Sequence, residues 1–346
     1  MYKIKKTANK ENWDNFLNEV QPQSFLQDFE WGEIEKSLGH EILRLEIYNS
    51  QTNADLMGVC QIIGYKAKRG NFLLIPHGPV LSTQIIIENQ FASIIIEIIK
   101  FLKLEDYHKR YAFIRLNSST LFNDDDIAAL KKIEFRPAPI YSVSENMWVK
   151  NLQKSEEELL NEMTSTNKKL VNDAMKKPYL EIECSTALSK IDEFWKIYED
   201  LAKRKEFAPY SYNLIKKEFE IFGNEKKALL YFGKVEGKIV SCALIVYSHN
   251  IAFYHHSGSL PIKEPINHKL QWQIILDAKN AGCKYYNFWG ITLSVNKKHP
   301  WWGLTQFKKG FGGELLKFIP AMDYAFSKKY WFNFAIEKIR RKIKKL

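Results

Sequence analysis

Ile239-Val240-Ser241-Cys242-Ala243-Leu244-Ile245-Val246, then His249-Asn250, then Ile251-Ala252-Phe253-Tyr254, reads as two strands joined by a tight turn. Both runs are apolar and β-rich, and Asn tolerates the left-handed backbone that short turns require. Ser257-Gly258-Ser259 reads as a break after the second strand. A helix is expected from about Lys269 to Asn280, with Gly282 at its C′ position. Tyr285-Tyr286-Asn287-Phe288-Trp289 is the next strand, and a helical crossover makes it parallel to the one before.

The first half of the chain repeats this order. Met57-Gly58-Val59-Cys60-Gln61-Ile62-Ile63 is strand-like, Lys68-Arg69-Gly70 turns, and Phe72-Leu73-Leu74-Ile75 returns. His77-Gly78-Pro79 breaks the chain, a helix is expected from about Ile86 to Leu104, and Ala112-Phe113-Ile114-Arg115-Leu116 follows as a strand. Hairpin, break, helix and parallel strand resemble the core of the GCN5-type acyltransferase fold. The expected class is α/β (α+β) with two tandem GCN5-type (GNAT-like) domains, the first over 1–150 and the second over 151–346. Pro137 and Pro139 precede the joint near Trp148 to Leu152, and Ser155 with Glu158 reads as a capping box opening the next helix. No long charged heptad insertion separates the halves, so no coiled-coil arm is expected.

Length and composition fit two folded domains. The chain has 346 residues, 45% hydrophobic and 14% aromatic, ample for sizeable cores. Its net charge of +11 favours anionic partners such as nucleic acid, phosphorylated substrates or an acidic membrane face. Cys60, Cys184, Cys242 and Cys283 form no C-x-x-C pair and read as small hydrophobes in a reducing compartment. Met1-Tyr2-Lys3-Ile4-Lys5-Lys6 leads into no apolar h-region, and Ile85 to Leu102 is interrupted by charged and polar residues. These features predict a soluble, cytoplasmic protein.

The chemistry is narrowed by absences in the sequence. A CoA-dependent enzyme needs a Gly-rich turn whose backbone N–H groups cradle the pyrophosphate. Neither His77-Gly78-Pro79-Val80 nor Ser257-Gly258-Ser259-Leu260-Pro261 has that spacing, and their prolines remove donors. No Walker A motif, Ser-centred elbow or His-x-x-x-His pair occurs. His255 and His256 are adjacent on a strand, so alternation predicts opposite faces and no shared metal. Transfer from an already activated ester to an amine needs little beyond positioning and charge stabilisation. The densest motif is His299-Pro300-Trp301-Trp302-Gly303-Leu304-Thr305-Gln306-Phe307-Lys308-Lys309-Gly310-Phe311-Gly312-Gly313-Glu314. There glycines permit close backbone approach, and aromatics can desolvate a lysine.

Five segments together resemble the FemABX family of non-ribosomal aminoacyl and peptidyl transferases. They are Ser24-Phe25-Leu26-Gln27-Asp28-Phe29-Glu30-Trp31-Gly32, Ile75-Pro76-His77-Gly78-Pro79-Val80, Tyr254-His255-His256-Ser257-Gly258-Ser259, Phe288-Trp289-Gly290-Ile291 and the cluster from His299 to Glu314. The resemblance implies transfer of an amino acid from aminoacyl-tRNA, as co-substrate and with no further cofactor, to the stem-peptide amine of a UDP- or lipid-linked muramyl peptide. It implies that Phe307 and Lys308 form the catalytic pair, with Lys308 stabilising the oxyanion or the departing tRNA hydroxyl, and Lys309 as its neighbour. Lys36 after the Gln27–Trp31 motif is similar to the family's phosphate-contacting lysine, Trp31 of that motif is expected to bind substrate, and Tyr254 and His256 lie on the strand that lines the acceptor site. Within Arg204-Lys205-Glu206-Phe207-Ala208-Pro209-Tyr210-Ser211-Tyr212, Tyr210 stands where the family carries a diphosphate-holding arginine. Arg204, with Tyr212 nearby, is the candidate replacement. Thr166-Asn167-Lys168-Lys169 replaces a basic motif that opens the second domain, so acceptor identity stays open.

A last helix is expected from about Lys329 to Leu346. Phe332, Ile336, Ile339, Ile343 and Leu346 would form one apolar stripe. Lys338, Arg340, Arg341, Lys342, Lys344 and Lys345 crowd the remainder, a pattern suited to the inner membrane face or a tRNA backbone. A monomer is expected. Two other readings stay open: a CoA-dependent N-acyltransferase on another amine, and a non-catalytic RNA- or membrane-binding protein.

Overall fold

The computed structural model describes residues 2–51, 55–67 and 70–344, the side chains of 342–344 excepted. Lys68 and Arg69 of the expected turn, with Lys345 and Leu346 of the tail, lie outside the described residues. The chain divides into two compact units: 1–145 together with 317–346, and 146–316.

Each unit is built on one twisted sheet, and the two sheets share a strand plan. In the first, the order is Tyr2–Lys6, Glu41–Asn49, Leu56–Tyr65, Phe72–Pro76, Phe113–Asn117, Met322–Ala325 and Arg136–Pro137, with Val80–Leu81 pairing beside Leu56–Tyr65. In the second, it is Leu180–Ser185, Ala228–Val235, Lys238–Ser248, Ile251–Ser259, Tyr285–Gly290, Asn146–Asn151 and Glu314–Lys317. The fourth and fifth strands of each sheet are parallel, and the other pairings along the main path whose registers are resolved are antiparallel. The tandem GNAT-like architecture expected from the repeat is therefore present.

The sixth strand corrects the expected boundaries. Asn146–Asn151, all but its last residue assigned by sequence to a domain over 1–150, pairs antiparallel to Tyr285–Gly290 in the second sheet. Met322–Ala325, assigned to 151–346, pairs antiparallel to Phe113–Asn117 in the first. The helix Tyr330–Lys344 follows it there: Tyr330 packs edge-on to Phe113 at 5.3 Å, and Glu337 meets Arg115 at 2.7 Å. The basic C-terminal helix thus belongs to the first unit.

Local signals account for most elements. His249 and Asn250 both take positive φ, giving a two-residue turn that closes the Ser248/Ile251 pair. The crossover helix of the second unit runs Ile266–Asn280 and buries Leu270, Trp272, Ile274, Ile275 and Ala278, and Gly282 follows at φ +83°. Its counterpart is split. Thr83–Ile87 and Phe91–Leu104 are separate helices, because Asn89 turns left-handed between them at φ +52°. Ile94, Ile98 and Leu102 of the longer piece pack on the first sheet's Leu45, Ile62 and Ile114. Ser155 and Glu158 form the capping box. Among the described residues the longest helices have 15 residues, and none is long and apolar enough to cross a membrane.

Two expectations fail for identifiable reasons. Ser257-Gly258-Ser259 is not a break but the end of a strand, paired with Ser241, Cys242 and Ala243. Gly258 is there because the helix Ile191–Lys205 crosses over it: a Cβ would lie 2.9 Å from Tyr198 Cα. In the C-terminal helix, Phe332 (62% exposed) and Ile339 (57%) face outward, while Tyr330 and Asn333 are buried. The periodicity marks a helix but not its buried face, which is aromatic and polar.

Candidate functional site

The second unit opens where its two parallel strands part. Ile251–Ser259 and Tyr285–Gly290 pair only at Ile251↔Tyr285, Ala252↔Tyr286 and Phe253↔Asn287. Beyond Phe253 and Asn287 they diverge, and the diverging ends carry Tyr254, His255 and His256 on one side and Trp289 and Gly290 on the other.

Trp289 sits at φ +65°, which for an aromatic residue costs roughly 1–3 kcal/mol. The Asn287 carboxamide oxygen holds this conformation by accepting the Trp289 N–H at 2.8 Å. The register against Asn146–Asn151 slips between Asn287 and Gly290, so the strand end is bulged. One consequence is the placement of the Gly290 carbonyl, which accepts a 2.7 Å hydrogen bond from Lys308 Nζ.

Lys308 lies on the helix Trp302–Lys309, together with the buried Thr305. Thr305 Oγ1 accepts the Thr292 N–H at 3.0 Å, and the Thr164 N–H donates to Gly310 O at 3.0 Å, fixing both ends of the segment. A Cβ on Gly313 would stand 2.4 Å from Val149 O, so the dense glycine cluster lets this segment pass close to the Asn146–Asn151 strand. Lys308 is 4% exposed, and burial lowers its pKa from 10.5 to about 7. No carboxylate partners it among the described residues. Phe307 points the other way, into a cluster with Phe311 at 5.1 Å and His268 at 5.3 Å. Lys309 lies over the Trp148 ring at 5.1 Å.

The histidine pair departs from alternation. Leu244 pairs with His256 and Ile245 with Tyr254, leaving His255 as the extra residue of a β-bulge. The two rings consequently lie on the same side, with centroids 3.9 Å apart. Both reach Glu218 on the helix Tyr212–Asn224: His255 Nδ1 is 2.7 Å from Oε1, and His256 Nε2 is 3.0 Å from Oε2. Burial raises the pKa of Glu218, but the two imidazoles outweigh it and hold the carboxyl at about 2. The expectation that His255 and His256 face apart is therefore overturned.

The remaining candidates divide by unit. Tyr210 is half exposed, and its ring meets His256 edge-on at 5.1 Å. Tyr254 packs against the second unit's core, and burial lifts its hydroxyl pKa to about 12. Arg204 is engaged by Asp200 at 2.6 Å and donates to the Ser259 carbonyl. Tyr212 donates to Asp192 at 2.6 Å. Arg204 and Tyr212 thus tie helices and strand end together beside the opening. Within the first unit, Lys36 is 67% exposed and lies 3.8 Å from Glu33. Trp31 is buried edge-on to Phe25 at 5.8 Å.

Glu218, His255 and Trp289 were missed in the sequence. Glu218 had a legible signal: it falls on the stripe Ile215, Glu218, Phe219, Phe222, where a carboxylate has no reason to sit unless it is partnered.

These features define a tandem GNAT-like protein whose second unit carries an opened strand pair and a buried lysine. Residues 213–338, Lys308 included, match the FemAB family model. A crystal structure of FemX superposes over 97% of this chain and 100% of its own with a TM-score of 0.81 at 16% identity. L-PGS from Bacillus licheniformis is similar in fold, with a TM-score of 0.57 at 13% identity over 96% of this chain and 97% of its own. So is the C-terminal domain of a putative lysylphosphatidylglycerol synthetase from Agrobacterium fabrum, with a TM-score of 0.55 at 11% identity over 96% and 98%. No curated protein matches the sequence.

Proposed function

We propose that the chain transfers an amino acid from aminoacyl-tRNA to the stem-peptide amine of a peptidoglycan precursor, forming an interpeptide bridge. The observation that carries this reading is Lys308, buried without a carboxylate at the opened end of the parallel strands, within the segment that matches the FemAB family. The donor is already an activated ester. Attack by the neutral amine forms the new C–N bond and puts negative charge on the former carbonyl oxygen. The Lys308 ammonium stabilises that charge, and collapse breaks the ester C–O bond. The departing ribose hydroxyl takes a proton as the former amine loses one, so no cofactor is consumed. A lysine with a pKa near 7 suits the role, since it can hold or release a proton at working pH.

Acceptor binding is assigned to the walls of the opening, Tyr254, His256 and Tyr210. Lys36 is assigned to a substrate phosphate, being exposed and only loosely held. Outward Phe332 and Ile339, with Trp331, Lys338 and Arg340 beside them, suit contact with an anionic inner membrane face, which favours a lipid-linked acceptor. The protein then acts as a monomer in the cytoplasm, peripheral to the membrane.

The test is mass spectrometry of products after incubation with a mixed aminoacyl-tRNA pool. Parallel arms offer UDP-linked muramyl peptide, lipid-linked precursor and phosphatidylglycerol, with acetyl-CoA as the donor control. An aminoacyl mass added to either muramyl peptide supports the reading. Addition only to phosphatidylglycerol, only from acetyl-CoA, or to nothing overturns it.

A further inference from the structure

Glu218, His255 and His256 make a cluster that the transfer chemistry above leaves without a catalytic task. We propose that these three side chains bind a divalent transition-metal ion, as a two-histidine, one-carboxylate site suited to zinc(II).

Geometry is the first support. The three candidate donor atoms lie within 4.8 Å of one another. They come from two elements, the helix Tyr212–Asn224 and the bulge in Ile251–Ser259, so their convergence is tertiary. Zinc bonds of about 2.0–2.2 Å to nitrogen and oxygen place ligand atoms roughly 3.3 Å apart. The observed 2.7 and 3.0 Å contacts need only a small opening to admit the ion.

Charge is the second. Glu218 is fully buried, and its hydrogen-bond partners among the described residues are the two imidazoles, not a lysine or arginine. A carboxylate inside a protein needs compensating charge. A divalent ion bound to Glu218 supplies it directly.

The surroundings are the third. His256 is flanked by Tyr198 at 5.9 Å and Tyr210 at 5.1 Å, and His255 meets the Trp289 edge at 4.9 Å. This aromatic shell restricts the orientation of both rings. Three protein ligands leave a fourth coordination position for water or a substrate group. A bound ion would lock the bulge that forms one wall of the strand opening.

The test uses the untagged full-length chain, stripped with a chelator and titrated with zinc(II) and cobalt(II). One ion per chain is expected, and cobalt should give the intense visible bands of a four-coordinate site. Glu218→Gln and the double variant His255→Gln/His256→Gln should each weaken binding about tenfold or more and abolish the bands. Circular dichroism establishes that the variants are folded, and the cobalt spectrum of the unaltered chain decides the case if they are not. No stoichiometric uptake by the folded wild type, or undiminished uptake by folded variants, overturns the proposal. Aminoacyl transfer is not the readout, so this inference and the transferase reading fail separately.

Discussion

The two units follow one strand plan but treat its central parallel pair differently. In the first, Phe72–Pro76 and Phe113–Asn117 remain paired at all five positions, through Pro76↔Asn117. In the second, pairing stops after three. In the first unit, Gln27, His77 and Arg115 are each held by several partners. Gln27 donates to the Gln61 and Pro76 carbonyls and accepts the Gln61 N–H. His77 is held between Ser24 Oγ and the Ser144 carbonyl. Arg115 makes a two-pronged contact with Asp323 and reaches Glu337 as well. The second unit instead leaves Lys308 buried with a single carbonyl. On the proposed function, the filled copy serves mainly as scaffold and the opened copy carries the chemistry.

The largest expected effect tests that division directly. Lys308→Met should lower kcat/KM for aminoacyl transfer by about 10²–10³-fold, the size seen when one oxyanion donor is removed. Its stability should not fall, because the variant removes a desolvated charge. The pH dependence has a definite sign. The folded pKa is about 7, below the ordinary lysine value, so above pH 7 the unfolded chain keeps a proton that the folded chain has lost. Wild-type stability should therefore rise relative to Lys308→Met between pH 7 and about 10, by on the order of 3 kcal/mol in denaturant unfolding. Full transfer by Lys308→Met would remove the second unit's claim to the chemistry.

Arg115→Met is the matched change in the filled unit. It strands Asp323, which is fully buried, and should cost about 3 kcal/mol in denaturant unfolding. Transfer per folded molecule should stay within about twofold of wild type. Lost turnover with unchanged stability would show that the first unit is more than scaffold.

This division was only partly legible in the sequence. Runs such as Ile239–Val246 and the Gly282 helix end were readable because a strand's alternation and a helix's C-cap are local. The pairing of Met322–Ala325 with Phe113–Asn117 was not, since nothing local ties segments some 200 residues apart, and the domain boundaries were misplaced with it. His255 and His256 were misread because a bulge is set by the partner strand's register, not by the residues that bulge. Lys308 was identified by family resemblance, whereas its burial and the single carbonyl it meets are tertiary facts. Trp31 was assigned to substrate from its motif, yet the fold uses it as core.

His77 offers a milder test of the filled unit. Burial lowers its pKa from 6.5 to about 4, although the Ser144 carbonyl favours the charged form. Between pH 6.5 and 4 the unfolded chain takes up a proton that the folded chain refuses, so stability falls as pH falls across that window. His77→Gln should flatten the slope, reducing the stability lost between pH 7 and 4.5 by about 2 kcal/mol in urea unfolding. An unchanged slope would mean that His77 is not held neutral by its enclosure.

Lys36→Ala should have the smallest effect and sharpens the comparison at its edge. The side chain is exposed, and its contact with Glu33 at 3.8 Å is of the surface kind worth about 0–1 kcal/mol. Unfolding should therefore shift by less than about 0.5 kcal/mol. If Lys36 meets a substrate phosphate, KM for the anionic substrate should rise about three- to tenfold at low salt with kcat unchanged, because a ground-state contact has been removed uniformly. The difference should shrink as ionic strength rises, since exposed charges are screened over about 10 Å at 0.1 M salt. A salt-dependent KM effect would make the first unit a scaffold with one substrate grip. No change in KM at any ionic strength would leave it with none, and the division of labour between the two copies would then be complete.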